Sequence, residues 1–266
     1  MKIGFIDYYL SEWHANNYPT WIKEICERDG ADFELAYAWA ELDTSPLDGV
    51  TTAEWCARFG AEKCDTLAEI CDKSDALLIL SPSNPEKHLP YAKIALTYGK
   101  PTYIDKTFAP SVKEAEEIFA IGEAHSTPVF SSSALRYAKE LALFKGEREV
   151  CITGGGSNLA EYIVHQAEIA ETLMGVGVCN VEYTPGKDGK RFTLHYADSR
   201  RVEMLYHPEL DFTLSGAGRT EICSGSFFID LLTDILAFYK SGKPPIQPAD
   251  TIEVMRIREC ALALTE

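Results

Sequence analysis

Short apolar runs bounded by turn residues alternate with helical patterns through the first half of the chain. Residues 2–6 predict a buried strand, 18–28 a helix with Gly30 just past its end, and 33–38 a second strand. Residues 51–59 open with the start signal Thr-Thr-Ala-Glu, a shorter helix covers 66–71, and the helix at 111–124 opens on Ser111 with Glu114 three residues on. The runs 76–80 and 101–104 are short and apolar, and a helical pattern separates them, as in a parallel βαβ unit. Residues 128–132 predict one more strand. Residues 1–135 therefore read as an α/β domain of five or six alternating units, a Rossmann-like doubly wound parallel sheet.

The texture changes beyond residue 135. Residues 150–153 predict a strand, Gly154-Gly155-Gly156-Ser157 a flexible turn, and 159–174 a long helix closed by Gly175. From 179 to 218, short alternating strands are joined by turns such as Lys187-Asp188-Gly189-Lys190. An apolar-faced helix at 227–240 and a last helix at 249–264 follow. Residues 136–266 thus predict a smaller α+β domain with an antiparallel sheet.

Charge narrows the ligands. A net charge of -16 over 266 residues repels nucleic acid and anionic membranes, which leaves a small-molecule substrate, neutral or cationic. The longest apolar runs fall far short of the roughly 20 residues a bilayer helix needs, and no signal peptide is visible. Eight cysteines without Cys-x-x-Cys spacing predict reduced thiols and a cytoplasmic protein.

In an open parallel sheet the ligand crevice lies outside the carboxyl ends of the strands. Ser81-Pro82-Ser83-Asn84, with His88 beyond, and Asp105-Lys106-Thr107 occupy two such ends. A lysine beside an acid is ordinarily a salt-bridged loop cation, and at a strand end in a cleft it becomes a candidate for proton chemistry. On the helix 159–174, Glu161, His165, Glu168 and Thr172 recur at spacings that put them on one face. That face is open to three readings: a solvated stripe, a metal site lacking a distant partner, or a catalytic histidine. No metal is expected from one helix alone.

Together these residues resemble the glucose-fructose oxidoreductase, inositol dehydrogenase and rhizopine catabolism (Gfo/Idh/MocA) family. The similarity is carried by Ser81-Pro82-Ser83-Asn84 with His88, by Gly99-Lys100-Pro101, and by Asp105-Lys106-Thr107 in place of Glu-Lys-Pro. Phe108-Ala109, Leu135-Arg136-Tyr137, and the helix with Glu161, His165 and Glu168 that ends in Leu173-Met174-Gly175 extend it. The resemblance implies an oxidoreductase acting on a CH–OH group of a sugar or polyol with NAD or NADP, and by analogy a homo-oligomer. It implies catalytic roles for Lys106, His165 and Glu161. Asp7, Tyr9, Ser81, Pro82, Asn84, His88, Asp105 and Lys106 would face the cofactor, and Arg136 and Glu168 the substrate. In one cleft, Lys106 would polarise a hydroxyl while His165 takes its proton.

The register also exposes a departure. Asp7, Tyr9 and Glu12 stand where a Gly-x-Gly-x-x-Gly turn has small residues, with His14 two positions on. Two carboxylates and a phenol ring there oppose a diphosphate by charge and by bulk. At the end of the second strand Glu41 and Asp43 are the nearest acids, as ribose ligands or as plain loop charges, and Trp39 is an adenine platform or a buried anchor. Two alternatives therefore stay open. One is a dinucleotide-independent isomerase or lyase using the same cleft, and the other a non-catalytic ligand sensor or partner subunit.

Overall fold

The computed structural model describes residues 1–265. In chain order the elements are β1 (Lys2–Asp7), α1 (Trp13–Asp29), β2 (Glu34–Ala40), α2 (Thr52–Phe59), β3 (Glu62–Lys63), α3 (Leu67–Lys73), β4 (Ala76–Ile79), α4 (His88–Ala95), β5 (Thr102–Ile104), α5 (Val112–Ala124) and β6 (Val129–Phe130). There follow β7 (Glu149–Gly154), α6 (Leu159–Met174), β8 (Val178–Gly186), β9 (Gly189–Tyr196), β10 (Arg201–Tyr206), β11 (Thr213–Gly216), β12 (Arg219–Ile222), α7 (Phe227–Ser241) and α8 (Pro248–Ala263). They form two compact units: Met1–Ser131 with Leu231–Ile246, and Ser132–Asp230 with the chain from Gln247 onward.

The first unit is a parallel sheet in the order β3-β2-β1-β4-β5-β6. The order reverses between β1 and β4, so the carboxyl ends of these two strands flank the switch point where such folds bind ligands. β1 and β4 are apolar because helices cover both faces: Ile3, Phe5, Ile6 and Leu77 to Leu80 are all fully buried. Gly4 is required by close approach, since a Cβ there would lie 2.3 Å from Ser74 Oγ. The helix expected at 18–28 begins at Trp13, because Glu12 caps it and Pro19 lies inside it rather than at its start. Although residues 136–266 read as one domain from sequence, most of α7 belongs to this first unit. Phe238 packs edge-on against Phe130, and Tyr239 Oη donates to the Leu77 carbonyl at 2.6 Å.

The second unit is a sheet in the order β12-β11-β7-β10-β9-β8. The expected antiparallel sheet is mixed, since β7 and β10 pair in parallel. Val150, Ile152, Phe192, Leu194, Val202, Met204 and Leu214 form its apolar face and share a core with Ile163, Val164, Ala167, Ala170, Val254 and Ile257 of α6 and α8. The opposite face is polar, with cross-strand pairs Arg191 to Glu203 and Arg201 to Glu149, as expected of a mostly antiparallel sheet solvated on one side. Gly154-Gly155-Gly156, which read as a flexible turn, is a packing requirement. A Cβ on Gly155 would lie 2.0 Å from the His207 carbonyl oxygen.

Candidate active-site residues

β1 ends in Asp7, which is 1% exposed. Its Oδ1 accepts from Tyr8 N at 2.6 Å, Ser81 N at 3.0 Å and Ser81 Oγ at 3.1 Å, while Oδ2 has no partner among the described residues. Burial pushes this carboxyl well above the usual carboxylate range, and the nearby charge of Glu12 adds to the effect. Ser81, just past β4, adopts a left-handed φ of 62°, and its bonds to Asp7 hold it there. Asp7 and Ser81, both expected at a cofactor, thus tie the two strand ends of the switch point to each other.

Glu12 replaces the last small residue of the expected turn and serves as the N-cap of α1. Its carboxylate accepts from His14 N at 2.8 Å and from Ala15 N. These are the amides, at the positive end of a helix, that receive a phosphate in dinucleotide-binding folds. Burial raises the Glu12 carboxyl, against the opposing pull of His14 and the two amides. A second closure lies at the end of β2. Glu41 accepts from Lys87 Nζ at 2.5 Å and from Tyr91 Oη at 2.8 Å, and Lys87 Nζ stands 4.4 Å above the Tyr8 ring. The bond from Lys87 holds the Glu41 carboxyl below its usual value. Trp39 meets Tyr91 edge-on at 5.5 Å. The residues present therefore do not fit a dinucleotide in the usual pose: the helix amides that would meet a diphosphate are taken, and Glu41, read from sequence as a ribose ligand or a loop charge, is paired internally.

The end of β5 is built differently. Asp105 is 1% exposed; its Oδ2 meets His14 Nδ1, and its Oδ1 accepts from Lys106 N at 2.8 Å and Tyr103 Oη at 3.2 Å. Burial pushes this carboxyl up, but His14 and the Lys106 charge outweigh it and hold Asp105 below the usual range. His14 is stacked on Tyr18 with ring centroids 5.2 Å apart. Lys106 is 7% exposed, the Lys106–Thr107 peptide bond is cis, and Thr107 Oγ1 is buried with no hydrogen-bond partner among the described residues. The result is a buried Asp105–Lys106 pair whose acid is ionised and gripped by a histidine from α1. The position of His14 two residues past Glu12 was visible in the sequence, but its contact with Asp105 was not.

The β4 loop carries the other expected cofactor residues. Pro82 is buried, and Asn84 Nδ2 donates to Glu86 Oε1 at 2.9 Å. His88 is fully buried, with Nδ1 3.0 Å from the Phe108 carbonyl and Nε2 2.5 Å from that of Leu80. Burial lowers its pKa against those two carbonyls, and the ring ties together the chain segments that follow β4 and β5. Tyr9 packs beside Tyr8 at 5.8 Å between ring centroids.

In the second unit His165 lies on α6. Its Nδ1 is 2.7 Å from Ser133 Oγ, and its ring meets those of Phe212 at 5.4 Å and Tyr162 at 5.7 Å. Glu161 sits in the first turn, where Asn158 caps its amide at 2.9 Å and Asn158 Nδ2 donates to its carboxylate at 3.2 Å. Arg136 and Glu168, both expected at a substrate, pair with each other. Arg136 Nε donates to Glu168 Oε1 at 2.5 Å and Nη2 to Glu171, while Ser132 Oγ donates to Glu168 at 3.0 Å. Burial works against the Arg136 charge, but the two glutamates prevail and raise its pKa. Among the described residues no group of histidine, cysteine and acid side chains is placed to hold a metal ion, and no helix is long and apolar enough to cross a membrane.

Solved structures similar over the whole chain include a myo-inositol dehydrogenase from Lactobacillus casei in complex with NAD(H) and myo-inositol, at 11% identity, 100% of this chain, 94% of that one and a TM-score of 0.79. A dehydrogenase from Clostridium difficile matches at 15% identity, 99% of each chain and 0.74. A biliverdin reductase from Synechocystis in complex with biliverdin and NADP+ matches at 13%, 99% and 98%, and 0.73. The chain has the two-domain dehydrogenase fold of these proteins, and the resemblance drawn from its motifs is borne out at that level. Among curated proteins, an uncharacterized oxidoreductase of Escherichia coli (strain K12), YhhX, is 32% identical over 110 residues, which are 41% of this chain and 32% of that relative. No family model matches the chain.

Proposed function

We propose that this protein is an oxidoreductase acting on a CH–OH group of a sugar, polyol or related metabolite. The observation that carries the proposal is the buried Asp105–Lys106 pair at the carboxyl end of β5, in a fold shared with an inositol dehydrogenase solved with NAD(H). Asp105, ionised and held by His14, balances the Lys106 charge inside the protein. The lysine ammonium is then a donor suited to a substrate hydroxyl or to the alkoxide that develops on it. The chemistry calls for a hydride acceptor, and the likeness to the neighbours supports NAD or NADP. The Glu12-capped amides do not take its diphosphate. Eight unpaired thiols fit a cytoplasmic setting.

The test is a panel of sugars and polyols with NAD(P), following absorbance of the reduced nicotinamide, for the native protein and for Lys106→Ala. Turnover that falls about 100-fold or more in the variant supports the proposal. Absence of both turnover and dinucleotide binding overturns it. The Glu12 cap favours a second reading, in which Lys106 and its neighbours transfer protons without a dinucleotide, as in an isomerase or lyase. Solvent-deuterium exchange into a substrate in the absence of NAD(P) would identify that chemistry.

A further inference from the structure

His165 has a partner that decides which of its nitrogens carries the proton. Ser133 Oγ lies 2.7 Å from His165 Nδ1 and accepts from Leu135 N at 3.2 Å. An amide can only donate, so one lone pair of Ser133 is committed to Leu135, and the hydroxyl has a single hydrogen left to place. Ser133 is 1% exposed, and among the described residues His165 Nδ1 is the one group positioned to receive that hydrogen. With the opposite assignment, Nδ1–H donating to the hydroxyl, the serine hydrogen would be buried without an acceptor. That penalty shifts the tautomer ratio on the order of tenfold.

We infer that Ser133 is a positioning residue that fixes neutral His165 as its Nε2–H tautomer, so that the ring meets a reacting oxygen as a hydrogen-bond donor and not as a base. This inverts the role the sequence suggested, in which His165 takes the proton of a hydroxyl. A donor at Nε2 matches a carbonyl or alkoxide oxygen, whereas a base would need a lone pair there. A donor there suits the carbonyl of the reducing direction, in which the substrate oxygen gains a proton. The role given to His165 rests on the proposed oxidoreductase activity, but the tautomer itself does not.

The tautomer is read directly from long-range proton–nitrogen correlation spectra of protein labelled in its six histidines, with the His165 signals identified by their loss in His165→Gln. The native protein and Ser133→Thr, which keeps the hydroxyl, are expected to show the proton on Nε2. Ser133→Ala should relax the ratio about tenfold toward the solution mixture. Ser133→Asp puts an acceptor at Nδ1 and should move the proton onto it. Should the aspartate variant not fold, the alanine and threonine pair still decides. A proton on Nδ1 in the native protein, or an alanine variant with unchanged His165 signals, overturns the inference. Turnover combined with an Nδ1–H tautomer would sink the inference alone, and an Nε2–H tautomer without turnover on any CH–OH substrate would sink the oxidoreductase proposal alone.

Discussion

The junction after β1 and the junction after β5 open at the same carboxyl edge of one sheet, with β4 between them, and they have been treated oppositely. At β1 Asp7, Tyr9 and Glu12 stand where the resemblance leads one to expect the small residues of a phosphate-binding turn, and a carboxylate of the chain itself caps α1. At β5 the acid and lysine are both present and buried. The backbone explains why the first could change without loss of the fold. The first amides of a helix need an acceptor, and Glu12 meets that demand as a phosphate would. The two junctions are also joined, since His14 from the altered one grips Asp105 of the preserved one.

The largest expected effect breaks the preserved junction. Lys106→Ala should lower turnover of a CH–OH substrate by about 10²- to 10⁴-fold in a steady-state assay, and, because buried Asp105 loses a neighbouring charge, calorimetry should show a lowered melting temperature as well. Asp105→Asn should then destabilise the fold by about 3 kcal/mol near neutral pH, because it removes one partner of a buried pair with His14. The Asp105 carboxyl is depressed in the folded state, so its stabilisation is complete above the unfolded pKa and is lost as pH falls through the folded one. Denaturant melts of parent and variant should converge in acid, and a gap independent of pH would refute the pairing.

The altered junction should respond in the other direction. Glu12→Gly removes the side-chain cap at a cost of roughly a few tenths of a kcal/mol, and frees the α1 amides, so NADH affinity should rise roughly tenfold in a fluorescence titration. The Asp7→Gly, Tyr9→Gly pair should raise it further by removing bulk and a buried acid. If neither variant gains affinity, the carboxylate does not occupy a dinucleotide seat. The smallest effect distinguishes the two buried aspartates by sign. The Asp7 carboxyl is raised, so ionising it works against the fold above its unfolded pKa, and that loss is relieved as pH falls through the folded pKa. Asp7→Asn should therefore stay within about 1 kcal/mol of the parent at neutral pH, with the parent gaining on it toward acid, the reverse of Asp105→Asn.

Much of this molecule was legible along the chain. The helix α6 runs over Leu159–Met174 as its periodicity and Gly175 predict, and β4 and β5 fall within the apolar runs read as parallel strands. The placement of Asp105 and Lys106 at a strand end followed from the same pattern, because period, caps and turn residues are written within a few positions of the structure they specify. What faces what was not legible. The expected helix after β1 starts five residues early, since a cap by glutamate leaves no glycine signal and Pro19 masks the first turns. His14 and Asp105 are 91 residues apart, Arg136 and Glu168 are 32 apart, and the assignment of α7 to the first unit rests on contacts such as Tyr239 with Leu77, 162 residues apart. Sequence alone therefore determined most of the elements, the parallel sheet of the first unit and the strand ends that carry polar chemistry, through local backbone preference and hydrophobic period, while the parallel pairing of β7 with β10 was not legible. Only the tertiary structure decided that Glu12 takes the helix amides, that the Asp105 carboxyl is held below the usual range while that of Asp7 is pushed above it, and that Ser133 meets His165. Those outcomes depend on burial and on partners that only the path of the folded chain brings within hydrogen-bond reach.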